Sequence, residues 1–279
     1  MLTLAGLYVY PVKSCRGTAL TRATLTRAGL AHDREWMVIT PEGRFLTQRE
    51  LPRLALVAPR LEADALVLEA PGPPALPLPL DATGPRREVA VWGDVCSAVD
   101  AGEAAAQWLS AFLGRPVRLV RFDASQRRAT DPEWSDGLPG ETHFTDGFPL
   151  LVLSRASLDE LNARLESPLP VDRFRTSLLI DGCGPYAEDR MSELVAGEAR
   201  IRIVKPCTRC VITATDQTTG ERDGEEPLRT LRSYRWDREL RGVVFAQNAI
   251  VAAGAPAELH LDMALQATYR EVDQSAEQR

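Results

Sequence analysis

Glu35-Trp36-Met37-Val38-Ile39-Thr40, then Pro41-Glu42-Gly43, then Arg44-Phe45-Leu46-Thr47-Gln48 is the stretch on which the fold reading rests. Two β-prone runs around a proline–glycine turn are the signature of a hairpin. The pattern repeats outward. Leu2–Tyr10 ahead of it is apolar and β-prone, and Leu54–Leu61 and Asp64–Glu69 continue behind it. Arg87–Trp92, the turn Gly93-Asp94 and Val95–Val99 make another hairpin. Between them, Pro71-Gly72-Pro73-Pro74 through Pro79 cannot be a central strand and reads as a long hairpin connection.

The pattern then changes. Ala101–Leu113 carries Trp108, Leu109 and Phe112 at helical spacing, with Gly114 as a stop. Arg115–Phe122 reads as a strand, and Asp123–Asp146 is polar without a period, which places a domain boundary near it. Beyond it, Phe148–Leu153, Phe174–Asp181, Ala199–Lys205, Val211–Asp216, Val243–Val251 and Glu258–Ala264 read as strands. Ser157-Leu-Asp-Glu160 is a capping-box pattern opening a helix to about Leu165, and Pro227 starts a helix with Leu228, Leu231 and Tyr234 on one face. The expectation is a β-rich α+β protein: a barrel-like domain over 1–122, a second barrel with short helices over 123–264, and a polar, frayed tail over 265–279.

With 279 residues, 44% hydrophobic and 26% charged, the chain is an ordinary globular protein; disorder and a disulfide scaffold are excluded for the whole. A net charge of −6 argues against nonspecific nucleic-acid binding but leaves room for a local phosphate pocket. No apolar run approaches the roughly 18 residues of a membrane helix. The N-terminus shows no signal-peptide pattern, so no membrane partner and a cytoplasmic location are expected. Five cysteines, with only Cys207 and Cys210 close in sequence, suggest a reducing compartment.

The sharpest chemistry lies in Lys205-Pro-Cys-Thr-Arg-Cys-Val-Ile-Thr-Ala-Thr-Asp216. Four readings are open. A structural zinc needs two further ligands, and the remaining cysteines and histidines are scattered. A thioredoxin-like pair belongs where a strand feeds a helix, whereas this pair lies between two apparent strands. A single thiolate suits a soft metal, with Arg209 beside it for an anion. Two packing cysteines are the plain alternative. Elsewhere, Tyr10-Pro-Val-Lys-Ser-Cys-Arg-Gly17 places a cation and a hydroxyl in a turn after a strand. Asp33-Arg34-Glu35-Trp36 and Asp172-Arg173-Phe174-Arg175 open further strands. Each alone reads as solvated charge; together they suit one polyanion. Asp216 reads as a turn-capping aspartate ahead of Thr218-Thr219-Gly220.

Taken together, these motifs resemble the MOSC superfamily, in the branch of the mitochondrial amidoxime-reducing component and its bacterial relatives. Asp146-Gly-Phe-Pro149, Ser157-Leu-Asp-Glu-Leu-Asn162, Tyr186-Ala-Glu-Asp189 and Phe245-Ala-Gln-Asn248 carry the resemblance further, in the family's order, from residue 7 to about 262. The resemblance implies a molybdenum cofactor, a pyranopterin dithiolene held with one protein cysteine. Carried over by position, Cys210 is the metal ligand and catalytic residue, and Cys207 is a neighbour. Lys13, Ser14, Arg34, Arg175, Thr208 and Arg209 match positions that hold the pterin and its phosphate. The chain has Gly147 and Phe148 where the animal proteins have two hydroxyl residues, so contacts there fall to backbone N–H groups. Ser177 stands in place of an asparagine.

The implied activity is reduction of small N-hydroxylated compounds: hydroxylamines, amidoximes or N-hydroxylated bases. No cysteine follows Cys210, so a ferredoxin-like extension is not expected. Electrons are then expected from a separate protein: a ferredoxin, a cytochrome b5-like protein or a flavin reductase. A sulfur or cofactor carrier using the same cysteine is the alternative function.

Overall fold

In a computed structural model, residues 1–222 and 224–270 are described. The fold is β-rich α+β, as expected. A nine-stranded sheet dominates it, running in spatial order Thr18–Leu20, Thr3–Val9, Leu178–Asp181, Leu150–Ser154, Gly242–Ala253, Ala199–Thr208, Met191–Ala196 and Gln266–Tyr269, with Trp236–Asp237 paired to the side. All neighbours are antiparallel except Leu150–Ser154 beside Leu178–Asp181. The helix Arg155–Asn162 bridges that pair in the chain, as a parallel connection requires. A four-stranded sheet orders Trp36–Ile39, Arg118–Phe122, Asp94–Asp100 and Arg86–Val91; the helix Glu103–Leu113 joins its two middle strands and ends on Gly114 in the left-handed conformation.

The pairing crosses residue 122. Strand Thr3–Val9 is a member of the large sheet, and Arg22–Thr26 pairs with Ala257–His260. Accordingly Leu4, Leu7, Leu25 and Leu30 are buried among Leu150, Val152, Ile180, Ile201 and Leu259. Trp36, Leu46, Leu54, Leu66, Leu109 and Leu119 form a separate core. Each such buried leucine contributes about 1.5–3 kcal/mol, which ties the first thirty residues to the second half.

Several local expectations change. Val211–Asp216 is not a strand: Val211–Ala214 is a 3-10 turn headed by Cys210. The Arg173 guanidinium donates to the Thr213 and Ala214 carbonyls at 3.0 Å each, so those carbonyls are not offered to a sheet partner. Leu54–Leu61 begins as the 3-10 helix Pro52–Leu56, started by its proline, before the strand Ala58–Leu61. Phe174–Asp181 is extended only over Leu178–Asp181; ahead of it comes the 3-10 helix Val171–Phe174. The proline-rich connection ends in an edge strand, Leu76–Pro79, paired with Ala65–Glu69. Leu80 N–H donates to Asp64, so Pro77 and Pro79, at odd positions, turn their missing donors away from the partner. Arg44–Gln48 makes only isolated bridges, Ile39 to Phe45 and Arg44 to Ala90. Helix Arg155–Asn162 is capped by Ser154, whose hydroxyl accepts from Ser157 N–H, three residues ahead of the expected cap. The tail is not frayed from Gln266: Gln266–Tyr269 pairs with Met191–Ala196, and 271–279 lie outside the described residues.

Tyr10, fully buried, closes the seam between these parts. Its N–H donates to Asp33 at 2.8 Å, its carbonyl accepts from Arg34 N–H at 2.8 Å, and its hydroxyl donates to the Thr176 carbonyl at 3.2 Å. Gly17 is required beside it, because a Cβ there would stand 2.3 Å from the Tyr10 ring. Gly17→Ala is therefore expected to destabilise the fold by about 1–3 kcal/mol, read as a lower urea midpoint with an unchanged slope; an unaltered midpoint would show that the ring moves aside freely.

Candidate functional site

One cleft is lined by five cations, Lys13, Arg34, Arg49, Arg175 and Arg209, against the single carboxylate of Asp146. Its walls hold every residue assigned from the sequence to the metal or the pterin: Lys13, Ser14, Arg34, Gly147, Phe148, Arg175, Ser177, Thr208, Arg209 and Cys210. Cys207 lines it too. Arg49, Asp146, Thr213 and Asn248 also line it and were not assigned roles from the sequence. Asp146 and Asn248 lay within quoted motifs, whereas Arg49 follows a turn with no pattern to mark it.

Left-handed backbone builds the cationic wall. Ser14 has φ 63°, Arg34 φ 47° and Arg175 φ 56°. Each such non-glycine residue costs of order 1–3 kcal/mol, so surrounding contacts must hold it. Ser14 lies in the turn after the first strand, where Lys13 N–H donates to Trp36 and Gln48 donates to the Ser14 carbonyl. Arg34 is held through its own N–H on Tyr10 and an ion pair with buried Asp33. Arg175 ends the 3-10 helix Val171–Phe174 and donates from Nη1 to the Cys15 carbonyl at 2.8 Å. Both guanidiniums lie over the Tyr10 ring, at 4.2 Å for Arg34 and 4.3 Å for Arg175. Burial, reinforced by the Arg34 charge, lowers the Arg175 guanidinium to about 10. It stays protonated at neutral pH, at a cost that an anion in the cleft would offset.

The second cationic group is paired. Lys13 is buried and donates to the Phe144 carbonyl at 2.8 Å and to Asp146 at 2.5 Å. Arg49 reaches the same carboxylate at 3.3 Å. The Asp146 side chain is half exposed, so partial desolvation raises its carboxyl only against the pull of Lys13 and Arg49, which hold it well below the ordinary carboxylate range.

The cysteine wall differs between its two sulfurs. Arg209 Nη1 donates to Cys207 Sγ at 3.0 Å, and Cys207 packs against the core of Phe174 and Phe245. Cys210 heads the 3-10 turn that Arg173 braces; the Thr213 hydroxyl donates to its carbonyl at 2.9 Å. Arg173, read from sequence as solvated charge, is thus a buried brace. Asp216 accepts from Thr218 and Thr219 N–H at 2.7 and 2.9 Å, the turn-capping role expected of it. Gln247 is buried and donates to Asp189 at 2.7 Å, away from the cleft lining.

Among the described residues, three buried guanidinium nitrogens of the cleft lack a hydrogen-bond partner: Arg49 Nη1, Arg175 Nη2 and Arg209 Nε. Unpaired buried donors on cations are costly, and together they suit a multiply charged anion. Among the described residues no group of three or more His, Cys, Asp or Glu is placed to hold a metal. A metal bound beside Cys210 would therefore draw most of its ligands from outside the chain. That donor set fits one soft thiolate and an anionic cofactor, and gives no support to the zinc reading.

Comparison with known proteins places this architecture. Residues 1–116 match the MOSC N-terminal beta barrel domain, and residues 139–258 match the MOSC domain. Mitochondrial amidoxime-reducing component 1 of Mus musculus is 40% identical over 242 residues, covering 84% of this chain and 71% of the relative. The Homo sapiens protein of the same name is 39% identical over 242 residues, covering 84% and 72%. The molybdenum cofactor sulfurase of Danio rerio is 33% identical over 267 residues, which are 88% of this chain but 32% of that protein. The chain belongs to the MOSC superfamily, in the branch of the amidoxime-reducing components. No helix among the described residues is long and apolar enough to cross a membrane.

The Asp146 pairing predicts a pH dependence. With its folded pKa depressed, the group adds stability above its unfolded pKa of about 4, and that contribution is lost as pH falls toward the folded value. Wild type should thus lose stability below about pH 4 more steeply than Asp146→Asn, measured by urea midpoints at stepped pH; parallel profiles would show that the pair carries no linkage.

Proposed function

We propose that this chain is a molybdenum-cofactor-dependent reductase of small N-oxygenated compounds, with Cys210 as the thiolate ligand. The observation that carries the reading is the set of unpaired buried guanidinium donors around the cleft that holds Cys210, in a chain of the amidoxime-reducing branch. When bound, the cofactor supplies the two-electron chemistry: with two electrons and two protons the N–O bond of R–NHOH breaks, giving R–NH2 and water. Arg175, Arg209 and Arg49 hold the anionic part of the cofactor, a guanidinium gripping phosphate bidentately. Lys13, Ser14, Arg34 and Thr208 complete the cradle. Gly147 and Phe148 contribute backbone N–H groups, and Ser177 positions the strand beneath, its hydroxyl accepting from Leu151 N–H at 3.3 Å. The position in the family's motif assigns the ligand to Cys210, which heads its braced turn, while Cys207 accepts from Arg209; this arrangement supports the assignment.

A separate electron-donor protein (a ferredoxin, a cytochrome b5-like protein or a flavin reductase) completes the cycle, and a cytoplasmic location is part of the same proposal. The similarity to a molybdenum cofactor sulfurase favours a second reading, a sulfur or cofactor carrier on the same cysteine. Metal, pterin and persulfide analysis of the purified protein separates the two. Stoichiometric molybdenum with hydroxylamine reduction by an artificial donor supports the reductase; a persulfide without molybdenum supports the carrier.

Two substitutions test the assignment. Cys210→Ser should abolish N-reduction and strip molybdenum, whereas Cys207→Ser should keep measurable activity. Total loss in Cys207→Ser alone, or full activity in Cys210→Ser, would put the ligand on the other sulfur. Arg175→Ala should lower pterin occupancy, with Arg175→Lys restoring it only in part; unchanged occupancy in Arg175→Ala would remove that residue from the cradle.

A further inference from the structure

The hairpin Arg86–Val91/Asp94–Asp100 turns through Trp92 and Gly93, and its left-handed residue is the wrong one by local chemistry. Trp92 has φ 55°, while Gly93, the residue suited to such an angle, does not take it. A bulky aromatic with positive φ is a genuine outlier. The same side chain is 52% exposed, although tryptophan is among the most costly groups to leave in water. Local strain and exposed apolar area on one residue, with nothing in the hairpin to require either, mark it for a role beyond folding.

Its surroundings point to the cleft. The Arg49 guanidinium lies over the Trp92 ring at 4.8 Å, and Phe45 meets the ring edge-on at 5.2 Å and 61°. Arg49 and Asp146 line the cleft, and Lys13 lies over Phe45 at 5.5 Å. Trp92 is not part of the lining, but Arg49, which lies over its ring, and Asp146, which its indole meets with a hydrogen bond, are. The indole thus stands beside the cleft, with part of its surface packed on the cleft residue Arg49 and half of it in solvent.

We infer that Trp92 is a specificity-determining residue, an aromatic rim that stacks against the flat, uncharged ring of an N-hydroxylated substrate while the N–OH group enters the cleft. The inference rests on the reductase reading for the kind of substrate, not for the presence of a ring site. The chemistry selects neutrality as well as flatness. Arg49 already places a cation on the indole, so a neutral amidoxime is a better companion than the protonated amidine it becomes. Reduction would then weaken the stack and favour release.

The test compares benzamidoxime with acetamidoxime, which has the same N–OH head and no ring. Calorimetric titration of the cofactor-loaded protein, without electron donor, is run on wild type, Trp92→Asn and Trp92→Phe. Asparagine tolerates left-handed backbone, so that variant keeps the turn while removing the ring. Trp92→Asn should weaken benzamidoxime binding roughly fivefold to tenfold and acetamidoxime binding far less, and Trp92→Phe should recover most of the difference. The KM ratio for the two compounds should move the same way in turnover with an artificial donor. Benzamidoxime should also quench wild-type tryptophan emission, and the quench should shrink in Trp92→Phe, which reads the contact even if Trp92→Asn does not fold. Equal loss for both compounds, no loss, or an unchanged quench would overturn the rim assignment. Ring-selective binding with no turnover by wild type would instead overturn the reductase reading and leave the rim standing.

Discussion

Two guanidiniums resting on one buried phenol ring is the constraint around which this molecule is arranged. Tyr10 follows the first strand of the large sheet, and its ring carries Arg34 and Arg175, 141 residues apart in the chain, at about the same distance. Each contact is worth about 0.5–2 kcal/mol, which does not cancel the repulsion of two like charges in a poorly solvated place. Asp33 supplies part of the compensation, paired with Arg34 and accepting from Tyr10 N–H. The remainder is left for whatever anion enters the cleft. A scaffold that holds uncompensated cations in place needs backbone that does not relax, and the left-handed angles of Ser14, Arg34 and Arg175 are held by hydrogen bonds that cross between distant segments.

The cleft thereby separates three tasks. The guanidinium side binds negative charge. The cysteine side presents a sulfur on a short turn whose carbonyls are tied down by Arg173. On the third side Lys13 and Arg49 share the single carboxylate of Asp146, which leaves one positive charge over for an anion, and Arg49 also carries the Trp92 ring. This division explains why the two cysteines behave differently despite their spacing. One is absorbed into a hydrogen bond and a hydrophobic core, and the other is set at the head of the turn.

The sequence by itself determined the β-rich class, the helix Glu103–Leu113 with its glycine stop, the turn role of Asp216 and the separate motifs that carry the cations and thiols. These are legible because hydrophobic alternation, turn chemistry and residue type are local properties. Only the tertiary structure decided the rest. Val211–Ala214 has the composition of a strand and becomes a 3-10 turn because Arg173, some forty residues away in sequence, takes its carbonyls. Arg49 has no motif around it and enters the cleft because the chain beyond the first hairpin folds back over Asp146. The first thirty residues join the core of the second half because their strands find edges there and not nearer in the chain. Long-range hydrogen bonds and the choice of sheet edge depend on which segments meet in space, and no window of sequence encodes that meeting.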